Sequence, residues 1–111
     1  MIEQRDLLLM PFPFSNQSGN KVRPVIVVSN NKFNEDSKDV LVVGVTSNIS
    51  KDKYTINLDN NCLDEGKLFT NCCIKVENIL KIDKELVIKK IGKINKVTFE
   101  DIKSKLLEII K

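Results

Sequence analysis

Two runs rich in β-branched residues, Val22–Ser29 and Val40–Thr46, constrain the fold more than any other feature of the chain. Val, Ile and Thr pack well on a pleated surface and lose rotamer freedom in a helix, so both runs are expected as strands. Val40–Thr46 reads Val-Leu-Val-Val-Gly-Val-Thr and is apolar on both faces, which predicts a central strand covered on both sides. Asn30-Asn31 breaks the first run, and a short helical turn is expected over Lys32–Asp36.

The rest of the chain fits around these two strands. Asp6–Phe14 is an apolar-rich run closed by Pro11-Phe12-Pro13-Phe14, read as a strand at a sheet edge or at its end, with the second proline forcing the chain out of the ladder. Ser15–Lys21 is polar with one glycine and reads as a loop. Lys53–Leu58 alternates as a half-exposed strand, turned by Asp59-Asn60-Asn61. One or two strands with a bulge are expected over Phe69–Ile82, and another over Leu86–Ile94. Thr98 is the expected helix cap, with Glu100 and Asp101 in the first turn. Phe99, Ile102, Leu106, Ile109 and Ile110 give that helix an apolar face. About six or seven short strands plus one C-terminal amphipathic helix predict a mainly β protein with α: a small SH3-like antiparallel β barrel, its helix covering one opening. At 111 residues the chain has the length of one domain, 1–111.

Composition narrows the chemistry. There is no histidine, so imidazole acid/base pairs, Ser-His-Asp triads and histidine metal sites are excluded. Cys62, Cys72 and Cys73 are odd in number and lack C-x-x-C spacing, so neither a disulfide framework nor a metal site is expected. They read as reduced packing residues, with Cys72 and Cys73 on opposite faces of a strand, one inward and one outward. A net charge of +3 permits contact with a polyanion without requiring it. No apolar run approaches the roughly 20 residues of a membrane span, and cytoplasm is the expected location.

Basic charge comes almost entirely from Lys, with Arg only at positions 5 and 23. Arg carries a planar fork of donors that matches phosphate, which Lys lacks. Arg23 follows the polar loop and precedes Pro24, so its backbone is restrained at a strand start. Thr46-Ser47-Asn48 places two hydroxyls and an amide where the second buried strand ends. If the two strands lie close in a curved sheet, one cation and several neutral donors converge on a place suited to phosphate. The Lys89-Lys90 pair and the lysines of the C-terminal helix read as solvated surface.

The order of these features resembles the MazF/PemK family of toxins from bacterial toxin-antitoxin pairs. The resemblance rests on a strand ending in Pro11-Phe12-Pro13-Phe14, the compact loop Ser18-Gly19-Asn20-Lys21, Val22-Arg23-Pro24 leading to Ser29, and a Val-rich strand ending in Thr46-Ser47. Lys75–Asp83 and Ile91-Gly92-Lys93-Ile94 are similar to the family's later strands. The family often opens with Gly-Asp where this chain has Arg5-Asp6, and its longer Glu-Gln-Gly loop has no clear equivalent here.

By that resemblance the chain is expected to be an endoribonuclease that cleaves single-stranded RNA. It would work as a homodimer, be neutralised by a cognate antitoxin, and need no cofactor or metal. The family's catalytic Arg and Thr map onto Arg23 and Thr46. Phe14, Ser15, Asn16, Gln17, Ser18, Lys21, Ser47 and Asn48 are the expected RNA contacts. The RNA's own 2′-hydroxyl can attack the adjacent phosphorus, so the protein has only to align the groups and stabilise charge. A noncatalytic barrel that targets a protein, as the toxin CcdB does, or that merely binds nucleic acid, is the alternative.

Overall fold

In the computed structural model, which describes residues 1–12 and 21–111, seven strands form one antiparallel sheet. The strands are β1 (Asp6–Phe12), β2 (Lys21–Val27), β3 (Asp39–Thr46), β4 (Thr55–Leu58), β5 (Leu63–Gly66), β6 (Cys72–Asp83) and β7 (Lys89–Ile94). Their order is β4-β6-β3-β2-β1-β7-β5, so β3 is interior, between β6 and β2, as its unbroken apolar run requires. The sheet curls into a half-barrel. Two helices complete the fold: α1 (Asn31–Asp36) and α2 (Lys96–Ile110). No helix among the described residues is long and apolar enough to cross a membrane.

The curl gives the sheet two apolar faces. On one, Leu7, Ile26, Val43, Val45, Leu58, Ile74 and Val76 pack with Phe99 and Ile102 of α2. On the other, Leu8, Met10, Val25, Val27, Val40 and Val42 gather with Ile82. Alternate residues of β1 and β2 divide between the two clusters, as the period of a strand dictates. The helix thus seals one cluster only, and Ile110, expected on its apolar face, is exposed because it lies past the last contact with the sheet.

Several expectations are corrected by local chemistry. The strand expected from Asp6 to Phe14 is interior, flanked by β2 and β7. Pro11 is tolerated there because β7 pairs only with Asp6–Leu9, so the proline lies beyond that ladder. Helix α2 is capped by Asn95, whose side chain accepts from the Thr98 N–H at 2.9 Å; Thr98 is buried inside the first turn. Asn and Thr both cap helices, and the earlier of the two took the position. Cys72 and Cys73 are both buried, because the segment after β3 covers the face expected to be open: the Cys73 thiol lies 3.7 Å from the Ser50 carbonyl oxygen. Strand β5, which sequence periodicity did not mark, holds the sheet edge beside β7.

The start of β1 is tied to β7. Arg5 has φ +79°, in the left-handed region that favours glycine. Its conformation is held by backbone bonds to Val27 and Ile94, while Nη1 donates to the Ile94 carbonyl at 2.8 Å and pairs with Asp64 at 3.1 Å. Asp6, 1% exposed, lies 3.4 Å from Lys90 Nζ and 3.5 Å from Lys93 Nζ. Lys90, expected as solvated surface, is therefore part of an ion network with Asp6 and Glu65.

Candidate functional site

Antiparallel pairing of β2 with β3 sets Val25 opposite Gly44 and Val27 opposite Val42. Continued two residues past the paired segment, the same register sets Arg23 opposite Thr46. Pro24 falls where the β2–β3 ladder has already ended, so its missing N–H breaks no bond to β3. Arg23 and Thr46 are each half-buried. Among the described residues, Arg23 has no carboxylate within ion-pair distance.

Two hollows flank this pair. The larger, about 460 Å³, is lined by Arg23, Gly44, Val45, Thr46, Asn48, Ile49, Ser50, Lys75 and Asn78. The second, about 380 Å³, is lined by Val22, Arg23, Pro24, Val45, Thr46, Ser47, Asn48, Thr70 and Cys72. Arg23, Val45, Thr46 and Asn48 belong to both, so they border the two depressions. The Thr46 hydroxyl accepts from the Asn48 N–H at 3.1 Å, which orders the turn leaving β3 and keeps the hydroxyl's own proton for another acceptor.

Arg23, Thr46, Ser47 and Asn48 are thus brought together. Phe14, Ser15, Asn16, Gln17 and Ser18 lie outside the described residues. Lys21 is placed by its backbone opposite Phe12, at the start of β2.

Lys75 and Asn78 were missed by the sequence reading. They reach the larger hollow through an irregularity in β6: Val43 pairs with Ile79, but Gly44 pairs with Lys75, so residues 76–78 bulge out of the β3 ladder. The Val76 N–H turns instead to the Tyr54 carbonyl at 3.1 Å. Lys75 Nζ donates to Asp52 Oδ2 and to the Ser50 hydroxyl, both at 2.9 Å. Ser50 in turn donates to Asp52 at 3.2 Å.

These bonds shift the titration of both partners. Hydrogen bonds from Lys75 and then from Ser50 hold the Asp52 carboxyl below the ordinary carboxylate range. The bond to Asp52 holds the Lys75 ammonium above its ordinary range. The Glu3 carboxyl is likewise lowered by its bond from Lys93. A depressed folded pKa gives stability that is complete above the unfolded value and lost as pH falls through the folded one. Thermal stability is therefore expected to hold from neutrality to about pH 5 and to fall below about pH 4. Asp52→Asn should make that acid limb shallower. Melting temperatures recorded across the acid range, wild type against variant, check this; parallel curves would refute a contribution from Asp52.

A curled antiparallel sheet with one sealing helix, bearing a histidine-free cleft lined by one guanidinium, one ammonium and several hydroxyl and amide groups, defines a small SH3-like β-barrel protein with a polar, cationic cleft. Within that class the chain belongs to the family of PemK-like, MazF-like toxins of type II toxin-antitoxin systems, whose pattern matches residues 3–110. No curated protein sequence matches it significantly. Solved structures do. The MazE-MazF complex (Form-III) from Deinococcus radiodurans superposes with a TM-score of 0.80 at 14% identity, over 98% of this chain and 95% of that one. The Mycobacterium tuberculosis toxin MazF-mt6 gives 0.76 at 14% identity, over 94% of each chain. An endoribonuclease in complex with its cognate antitoxin from a Mycobacterial species gives 0.75 at 15% identity, over 97% and 93%. At such identities these likenesses speak for the fold, and the family match speaks for the kinship.

Proposed function

We propose that this chain is an endoribonuclease toxin that cleaves single-stranded RNA and is neutralised by a cognate antitoxin. The observation that carries the reading is the border shared by the two hollows, where Arg23 and Thr46 stand together in a chain of this family. A scissile phosphate over that border leaves one hollow for the nucleotide on each side. Unpaired strands fit such an arrangement because their nucleotides can be splayed apart, whereas a duplex holds them stacked.

The nucleophile belongs to the substrate. Attack of the 2′-oxygen on the adjacent phosphorus forms a P–O2′ bond and breaks the P–O5′ bond, the 2′-hydroxyl giving its proton to water and the departing 5′-oxygen taking one from water, which leaves a cyclic phosphate and a 5′-hydroxyl. The protein has to align these atoms and offset the charge that builds on the phosphate oxygens. Arg23 is assigned to charge stabilisation and not to proton transfer, because a guanidinium is a poor general base. Thr46, with its hydroxyl oxygen engaged by Asn48, is assigned to donate its proton to the phosphate and fix its position. Ser47 and Asn48 extend the polar border, and Phe14, Ser15–Ser18 and Lys21 are assigned to contact the bases. Partnership with an antitoxin is supported by the toxin–antitoxin complexes among the structural relatives. A homodimer is proposed on the family resemblance, with sedimentation as its check.

Purified protein is expected to cut single-stranded RNA with chelator present and to leave cyclic phosphate ends. Thr46→Ala should slow cutting by about tenfold to a hundredfold, the scale of one lost hydrogen bond to a charged group. Methylating the 2′-oxygen at the cleavage position should stop the reaction. Cleavage of that methylated RNA would overturn internal attack, and failure to cut any RNA would turn the reading toward a binding module.

A further inference from the structure

The two hollows differ in charge. Among the described residues, the one lined by Thr70, Ser47 and Cys72 has no cation besides the shared Arg23, whereas the other adds Lys75. Lys75 is not a freely waving surface lysine. Its side chain is 21% exposed, it springs from the edge of the β6 bulge, and Ser50 and Asp52 both bond its ammonium. Asp52, by contrast, has a side chain 63% exposed on the loop between β3 and β4. The cation lines the hollow, and its counter-ion is on an exposed loop outside that lining.

We propose that Lys75 is a second phosphate-binding residue, which takes the backbone phosphate next to the scissile one on the side of the larger hollow, and that Asp52 occupies it while the cleft is empty. This inference rests on the reading of the cleft as an RNA site. The geometry favours exchange over permanent pairing. An exposed carboxylate on a loop contributes little net energy to such a pair. A phosphate entering the hollow meets the same ammonium together with Arg23, and releases counter-ions from the nucleic acid as it binds. Ser50, which donates to Asp52 in the free protein, is placed to turn its proton to the incoming oxygen. Lys75 also distinguishes the two hollows among the described residues, because it adds a second cation to the larger one.

The test uses a short random-sequence single-stranded RNA, methylated at every 2′-oxygen so that it binds without being cut, with affinity followed by fluorescence anisotropy across a series of salt concentrations. Each phosphate contact on a single strand contributes about 0.7 to the slope of log affinity against log salt. Lys75→Ala should lower the slope by about that amount, and Lys75→Arg should restore it. A purely structural role for Lys75 would change stability but not the slope. Asp52→Asn, which frees Lys75 without removing it, should tighten binding at low salt. If wild type binds and the Lys75→Ala slope is unchanged, or if Asp52→Asn leaves affinity unchanged, the inference fails and the RNA reading stands. If wild type shows no salt-dependent binding of this RNA, both fail together.

Discussion

Arg23→Ala should reduce the rate of RNA cleavage by about a hundredfold to a thousandfold, the usual cost of losing one preorganised group that stabilises charge in a transition state. The loss should appear in kcat, because the extra negative charge exists only as the phosphorane forms. Arg23→Lys is the sharper variant. It keeps the positive charge and loses the planar fork, so it should recover part of the rate and not all of it. Since the guanidinium is assigned no proton transfer, the pH dependence of the Lys variant near neutrality should keep the wild-type shape. A shifted profile would instead give Arg23 an acid/base part. Full activity in Arg23→Ala would remove this residue, and with it the proposed site, from the reaction. The fold should survive either change, for Arg23 is half-buried at a strand end and has no ion pair among the described residues.

The second large effect concerns stability. Ile74 is fully buried in β6, with β3 on one side, β4 on the other and α2 in the same cluster. Ile74→Ala removes three carbons from a place where three elements meet and none can close the gap alone. The expected cost is about 2–5 kcal/mol. Against a total of roughly 5–15 kcal/mol for a domain, that is a large fraction, and the melting temperature should drop by roughly 10–20 °C. Ile110→Ala, on the exposed last turn of α2, should move the midpoint by far less. Equal shifts for the two would contradict the placement of the core. Calorimetry of both variants measures the difference.

Strand content, the interior position of β3 and the sealing helix were legible because they rest on patterns that one segment carries by itself. An unbroken β-branched run has to be covered on both faces, and apolar residues at spacings of three and four have to face a sheet. The nearness of Arg23 to Thr46 was legible for a related reason: one stands near the start and the other at the end of two adjacent strands that the sequence marks clearly. Lys75 was not legible, since its place depends on where β6 departs from β3, and a bulge leaves no periodic trace in an apolar strand. The burial of both Cys72 and Cys73 was hidden likewise, because it depends on the segment around Ser50 folding back over β6. Arg5 misled in another way: nothing local shows that its φ is positive, and only the bonds to Val27, Asp64 and Ile94 explain why a non-glycine residue can stand there.

The pairing of β1 with β7 has a consequence in time. Asp6 and Leu7 find their partners at Lys93 and Gly92, near the far end of the chain. During synthesis β1 can pair with β2 early, yet its other edge stays open until β7 has left the ribosome. Arg23 and Thr46 lie on strands made in the first half of the chain, but the frame that holds them closes last. A ribosome halted before β7 therefore carries a chain with the cleft's residues already made and its sheet unfinished, so the cleft's completion is timed by the emergence of β7.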